Sequence, residues 1–482
     1  MRARTHITDY LESHALGSPD KPAIVTDDKV LSWKELWQLV QAGAAFIDQQ
    51  LGQEGSQRIV ALLLPNNWQH VVANLSVVHA GHMVMPIDVI FKPLEIGAVL
   101  HQVPPAMIIT DDAGRARIKD APAPIFGVED FPTETPNSPG GYLRLPAEKQ
   151  VASLLFTSGT TGKPKVVPNT HRNHIWNIEV CSKVWKWTAD DSQLVSTRLS
   201  HMLGIIMGLS GTLYHGNTMY LQDRFNEQEI LKLLSSGKVT MFSHGPVVYA
   251  KLLQVGGRQA YDLSGVRLFI SGSGPLAPAV WQEFKDVFGA EILEVYGSTE
   301  TGRIASNLLS ERIPGSPGRV LPGVEVKFDK SGEVMVRSEG LFPGYLNNAE
   351  ATTKAKAADG FWRTGDIGEL AGGRLILKGR RQERIRKQGY SVSPRDVEWA
   401  LHEDPRIKEA LVVGVQNLGD PNDKIIYFIV GDITEPQIRK FCAANLPSVW
   451  RPDRIITLDS LPRTRTGKTQ VSKLRKLAGV AD

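Results

Sequence analysis

The sequence predicts an α/β protein: a large N-terminal domain of parallel α/β subdomains plus a β-rich subdomain, then a small α+β C-terminal domain. Short apolar runs alternate with helical patterns through the first half, the pattern of strand–helix–strand units. After Pro314 the texture changes to alternating strands punctuated by Gly, Pro and Asn. Beyond Arg381–Gln382 the chain becomes compact and charged. Domains are therefore expected at 1–381 and 382–482.

Taken in order, Ile59 to Leu64 reads as a buried strand ending at Pro65-Asn66-Asn67. Val71, Val72, Leu75 and Val78 follow with helical spacing, and Gly81 stops that helix. Met83 to Ile87 and Met107 to Thr110 read as further strands. Leu154 to Phe156 is an apolar run that empties into a loop of hydroxyls, glycines and lysines. Val266, Leu268 and Ile270 form a strand pattern running into Ser271-Gly272-Ser273-Gly274-Pro275. Val324 to Phe328 and Glu333 to Arg337 alternate like a hairpin, and Arg374 to Lys378 is the last strand before Gly379-Arg380. Helices are expected near Arg395–His402 and Glu435–Asn445. In open α/β sheets, ligands sit beyond the carboxyl ends of the strands. The loops at Thr157, Ser271 and Tyr296 all follow apolar runs in that way.

At 482 residues the chain has room for about three domain-sized units. Apolar content of 42% is enough for a sizeable core. Lys+Arg 55 against Asp+Glu 51 leaves only +4, which argues against dedicated nucleic-acid binding. The local run Lys473-Leu474-Arg475-Lys476 is either a solvated helix end or a contact for phosphate groups. Cys181 and Cys442 lie far apart, show no metal-ligand spacing and suit a reducing compartment. Arg2 and Arg4 are followed by polar residues rather than an apolar stretch, so no signal peptide is expected. No window approaches the ~18 apolar residues of a membrane span, so a cytoplasmic protein with no integral membrane segment is expected.

The loop Thr157-Ser158-Gly159-Thr160-Thr161-Gly162-Lys163-Pro164-Lys165 is the most informative stretch. Its glycines let backbone N–H groups turn inward, and successive inward N–H groups make a nest for anions. The hydroxyls add donors, and Lys163 and Lys165 add charge. A solvated turn has the same composition. The spacing is too short for a Walker loop, since Gly159 is followed by only two residues before Gly162-Lys163. Pro164, Val166 and Val167 then announce a strand rather than a helix. The parts suit a polyphosphate held by a loop of another kind.

Thr157 to Lys165 resembles the signature loop of the adenylate-forming enzymes, the superfamily of acyl- and aryl-CoA synthetases. Four further motifs follow in that family's order: Tyr296-Gly297-Ser298-Thr299-Glu300-Thr301; Trp362-Arg363-Thr364-Gly365-Asp366; Gly379-Arg380 with Glu383, Gly389 and Pro394; and Pro462-Arg463-Thr464 with Gly467-Lys468. The ordered set spans nearly the whole chain. The resemblance implies an acid–thiol ligase that uses ATP, Mg²⁺ and coenzyme A. Such an enzyme makes an acyl-AMP with release of pyrophosphate, then an acyl-CoA. Its partners would be a small carboxylic acid and CoA, or the phosphopantetheine of a carrier protein. A non-catalytic nucleotide- or acyl-binding homologue is the rival of a different class; intact Thr161, Glu300, Asp366, Arg380 and Lys468 argue against it.

The resemblance also implies residue roles. Thr157 to Lys165 would cradle the β- and γ-phosphates, Thr299 would bond the α-phosphate and Glu300 would hold Mg²⁺. Asp366 and Arg380 would grip the ribose, whose vicinal hydroxyls suit a carboxylate and a guanidinium; a purely structural Asp–Arg pair has the same residues. Gly272, Ser273, Gly274 and Tyr296, with Gly297 and Ser298 beside them, would form the adenine slot. Lys468 would reach the junction of carboxylate and α-phosphate. The family turns its small domain between half-reactions, which implies a mobile C-terminal domain hinged at Gln382 and a pantetheine passage at Gly389. Gln382 departs from the Asp or Lys usual there, Val166 stands where many relatives have glycine, and Thr469-Gln470 follows Lys468 in place of the more usual Ile and Arg.

The acyl pocket is expected near His201 to Gly204, Gly245 to Tyr249, Ser271 to Gly274 and the residues after Glu300. His201 would stand as a gate beside the acyl group, or serve as a structural histidine. Met202, Leu203, Ile205, Ile206 and Met207 are either pocket lining or plain core. Arg303, three residues after Glu300, would pair with a second carboxylate on a small diacid, or lie on the surface.

Overall fold

In the computed structural model, residues 4–52, 55–131, 146–147, 149–157, 164–388, 390–416, 422–463 and 469–479 are described. Ser158, Gly159, Thr160, Thr161, Gly162, Lys163, Gly389 and Lys468, all expected at the site, lie outside the described residues.

Two large sheets dominate. One has six strands, parallel except for the antiparallel pair Val151–Thr157 and Lys165–Thr170. The other runs to thirteen strands. Its middle is parallel, from Pro22–Val25 through Met241–His244 and Leu268–Ser271 to Ile292–Ser298. From Ile292–Ser298 onward it continues antiparallel, through Gly302–Ser306 and Gly318–Val320 to the strands Trp362–Ala371 and Arg374–Arg380. The β-rich stretch is thus not a sheet of its own. Its strands extend the edge that the parallel part leaves open, because Ile292–Ser298 can pair on both sides.

Local chemistry explains where the elements start and stop. Asn67 accepts the backbone N–H of His70 (2.8 Å) and caps Trp68–His79. Gly81 takes φ +88, which ends the helix at little steric cost. The periodicity marked one apolar face on this helix, yet every residue from His70 to His79 is buried. Among its polar members, Ser76 Oγ donates to Val40 O at 3.2 Å. Pro164, Val166 and Val167 lead into a strand, as their chemistry requires, and that strand returns antiparallel to Val151–Thr157 with Thr157 opposite Lys165. No described helix is long and apolar enough to cross a membrane. Both cysteines are buried.

Residues from Ile385 onward pack two hydrophobic cores of their own, one around Tyr427 and Ile425 and one around Phe428 and Leu474. They form separate two- and three-stranded sheets. The turn Arg381–Glu383 joins them to the strand Arg374–Arg380. Helix Pro394–Leu401 closes against the larger part. Its cap residue Ser393 donates Oγ–H to Lys378 O (2.7 Å), and Arg395 donates to Leu377 O (3.2 Å) while its guanidinium lies 4.3 Å from the Trp399 ring centre.

Under that helix sits Glu294, 5% exposed, which accepts the backbone N–H of Gly315 at 2.8 Å and that of Leu276 at 3.4 Å. Burial pushes its carboxyl up to about 7, with the Gly315 N–H and the Arg395 charge acting against the rise. A folded state that holds this proton more tightly than the unfolded chain gains stability below the ordinary carboxyl range. That gain disappears as pH rises through about 7. Thermal midpoints measured from pH 4 to 8 should show the wild type losing stability relative to Glu294→Gln as pH rises, with the gap levelling off above about 7. A gap that is flat across this range would refute the assignment.

Candidate active site

The crevice is built from loops at strand ends, where backbone donors are free and side chains converge. Thr157 ends its strand and sends its hydroxyl toward Glu300 Oε1 at 3.5 Å. Glu300 sits in the turn between Ile292–Ser298 and Gly302–Ser306. That turn is tight. Ser298 and Thr301 exchange backbone-to-hydroxyl bonds of 3.1 and 3.2 Å. A Cβ on Gly297 would stand 2.1 Å from Gly302 O, so only glycine fits there. Thr299 lies in the same turn. Glu300 Oε1 also accepts from Tyr345 OH at 3.0 Å, and Phe342 N donates to Glu300 O at 2.9 Å. Lys165, expected on phosphate, has its ammonium 4.7 Å from the Tyr345 ring centre. Tyr345 therefore links two residues of different motifs. No motif signalled it, because its partner lies forty-five residues away.

On the facing side, Asp366 and Arg380 are direct cross-strand partners. Arg380 Nε lies 2.8 Å from Asp366 Oδ1, and Tyr296 OH donates to Asp366 Oδ2 at 2.5 Å. Burial raises the Asp366 carboxyl, opposed chiefly by the Arg380 charge and then by the Tyr296 bond. Burial, followed by the Asp366 charge, pushes the Tyr296 hydroxyl up, which keeps it protonated and donating. Against burial, Asp366 and Tyr296, followed by Glu383 and Glu300, favour the Arg380 cation. Thr364 Oγ1 accepts Asp366 N at 3.1 Å and donates to Val334 O at 2.8 Å, which fixes the carboxylate's backbone. Gly365, at φ +76, gives its N–H to Glu333 Oε1.

The Ser271 loop follows the strand Leu268–Ser271. Ser273 takes φ +68, a strained conformation for a residue with a Cβ and one that concentrates at ligand sites. Gly272 N donates to His244 O at 3.1 Å and ties this loop to the neighbouring strand end. Arg303 lies not on the surface but buried at 4% exposure, close to Gly272. His201 Nε2 stands 4.0 Å from Asp88 Oδ2, and Asp88 lies two residues past the strand end at Pro86. The strand-end rule would have pointed to Asp88, which the motif reading passed over. Next to His201, Leu203–Ser210 forms a π-helix, a rare geometry found mostly at functional sites. A Cβ on Gly204 would stand 2.2 Å from Arg198 O, so the helix starts pressed against backbone. Met202, Leu203, Ile205, Ile206 and Met207 are all buried and belong to the main core. Burial pushes the His244 imidazole down to about 4, and the His201 charge adds to this.

At the chain's far end, Arg463 and Thr469 pair antiparallel, and Gln470 N donates to Pro462 O at 2.7 Å. The Arg463 guanidinium pairs with Glu409. These contacts pin both flanks of the stretch that carries Lys468.

Residues 11–346 match the AMP-binding enzyme family, and residues 396–468 match the AMP-binding enzyme C-terminal domain. The chain is 29% identical to a 2-succinylbenzoate–CoA ligase of Listeria monocytogenes over 487 aligned positions, covering 98% of this chain and 99% of that one. It is also 29% identical to a mitochondrial malonate–CoA ligase of Mus musculus, covering 74% of this chain and 68% of the relative. The fold superposes on the ATP-bound crystal structure of MatB from Rhodopseudomonas palustris with a TM-score of 0.89 at 26% identity, covering 98% of each chain. The chain belongs to the AMP-binding enzymes, the adenylate-forming acyl-CoA synthetase family.

Proposed function

We propose that this protein is an AMP-forming acid–thiol ligase that joins a carboxylic acid to AMP, releases pyrophosphate and then passes the acyl group to coenzyme A. The carrying observation is the Arg380 cation, bonded to Asp366 and within the field of Glu300. It stands where one nucleotide would meet the residues of three motifs. Relatives named as CoA ligases support the same reading.

In the first step a carboxylate oxygen attacks the α-phosphorus, and the bond to the β-phosphate breaks. Two anions must approach, so the surroundings must supply donors and positive charge. Thr157, Thr299 and Lys165, with the loop through Ser158 to Lys163, are assigned to the phosphates. Asp366 and Arg380 are assigned to the ribose. Tyr296, whose hydroxyl holds Asp366, is assigned to positioning that carboxylate as well as to bordering the base. Lys468 is assigned to the reacting junction by family resemblance. In the second step the CoA sulfur attacks the acyl carbon and AMP leaves. Gly389 is assigned to the pantetheine arm.

Among the described residues no cluster of three or more metal-ligating side chains exists, so a metal held by protein groups alone does not fit. A magnesium ion carried mainly by phosphate oxygens and water does fit. Both hydrogen bonds to the Glu300 carboxylate reach Oε1, and Oε2 takes none from a described residue. Glu300 would hold the ion, which when bound offsets phosphate charge. Domains at 1–381 and 382–482 belong to this reading, supported by the separate cores and by the turn Arg381–Glu383.

With ATP and Mg²⁺, a panel of carboxylic acids should yield pyrophosphate, and addition of CoA should yield thioester. Release that no acid stimulates would overturn the ligase reading, and thioester formed with a holo-carrier protein but not with CoA would overturn the acceptor. Lys468→Ala should lower acyl-AMP formation by roughly 10²–10³. Thioester formation from preformed acyl-AMP should survive that change; survival of both half-reactions would remove Lys468 from the chemistry. Tyr345→Phe keeps the ring under Lys165 but deletes a hydrogen bond to a carboxylate, so kcat/KM should fall roughly 10–100-fold. The same variant should need more Mg²⁺ for half-maximal rate, and an unchanged Mg²⁺ titration would show that Tyr345 does not position Glu300.

A further inference from the structure

Arg303 is the second residue of the strand Gly302–Ser306, directly opposite Gly297 and three residues beyond Glu300. Its side chain is buried, at 4% exposure. No carboxylate among the described residues pairs with it. Its buried Nε makes no hydrogen bond to a described residue, and its backbone N–H is taken by Asn177 Oδ1 at 2.7 Å. The one group whose charge would stabilise it is Cys181, but burial pushes that thiol up to about 12 and leaves it neutral. An unpaired buried guanidinium is costly, and native folds avoid it unless a counter-ion arrives from elsewhere.

The direction of the side chain shows where that counter-ion would stand. Arg303 Nη1 comes within 3.8 Å of the position a Cβ would take on Gly272. The absent side chain at Gly272 therefore leaves the guanidinium facing the loop that borders the crevice. Gly245 lies across from that loop, its own Cβ position 3.8 Å from Gly272 O. A fork-shaped cation beside this loop matches the two oxygens of a carboxylate.

We propose that the acid activated here is a short dicarboxylate, and that Arg303 holds its distal carboxylate while the other end meets the α-phosphorus. This rests on the ligase reading above and deepens it. Arg303 is then the specificity-determining residue, because a monocarboxylate leaves the buried cation unpaired in the complex.

The test is acid-dependent pyrophosphate release with ATP and Mg²⁺ for matched pairs: malonate against propionate, succinate against butyrate, and succinate against its monomethyl ester. At least one dicarboxylate should exceed its partner by roughly 10²-fold or more in kcat/KM. Arg303→Met should erase that preference, bringing the dicarboxylate's kcat/KM down to or below that of its partner. Thermal midpoints should support this: the dicarboxylate should raise the wild-type midpoint and leave that of Arg303→Met unmoved. Monocarboxylates that win in the wild type, or an Arg303→Met loss equal for both members of a pair, would overturn the proposal and leave the ligase reading standing. Pyrophosphate release with no acid at all would instead fail the ligase reading and take this one with it. Should Arg303→Met not fold, the wild-type ratio decides alone.

Discussion

One cross-strand pair organises the site. Asp366 and Arg380 face each other because the strands Trp362–Ala371 and Arg374–Arg380 are paired in that register. A slip of one residue in either strand would turn its side chain to the other face and break the pair. The same Arg380 is the last residue before the turn Arg381–Glu383 that leads into the C-terminal cores. The element that would hold the nucleotide is thus continuous with the element about which the smaller part would turn. Tyr296 brings in the second motif by hydrogen-bonding the outer oxygen of Asp366. A buried carboxylate flanked by a guanidinium and a phenol is expensive to assemble, and its worth lies in having the charges oriented before any ligand arrives.

The charges of the crevice differ in how far the protein satisfies them. Asp366 has both oxygens engaged by protein groups. Glu300 has one oxygen engaged, and the other receives no bond from a described residue. Arg303 is desolvated without any counter-charge among the described residues. These three states run from preorganised to open, and the open ones mark where a reactant must supply the missing group. Desolvation is what gives the pattern meaning, because an exposed arginine without a partner costs little and says nothing.

Several structural features came from sequence alone for clear reasons. Met107–Thr110, Glu333–Arg337 and Glu435–Asn445 have the bounds that apolar periodicity and flanking residues predict. The stop at Gly81 and the strand after Pro164 likewise follow from residues whose backbone preferences are strong. Less was legible where an element's surroundings decide its character. Helix Trp68–His79 shows one apolar stripe yet is buried on every side, and the apolar residues from Met202 to Met207, open in sequence between pocket lining and core, lead into a π-helix at Leu203–Ser210. The strands after Pro314 read as a β-rich subdomain in sequence; that they extend the parallel sheet through Ile292–Ser298 is visible only in the fold.

The order of motifs, the alternation of strands and helices and the types of residue at each loop were fixed by the chain's local chemistry, since propensity, turn geometry and charge act over a few neighbours. Which of those residues meet was decided only by the tertiary fold. Tyr345 on Glu300, Asp88 near His201 and Arg303 beside Gly272 are contacts between segments distant in sequence or on neighbouring strands. Arg303 shows the difference most sharply. As a letter in the sequence it stood equally for a surface charge or a binding group. Only burial, which depends on everything packed around it, removed the first meaning.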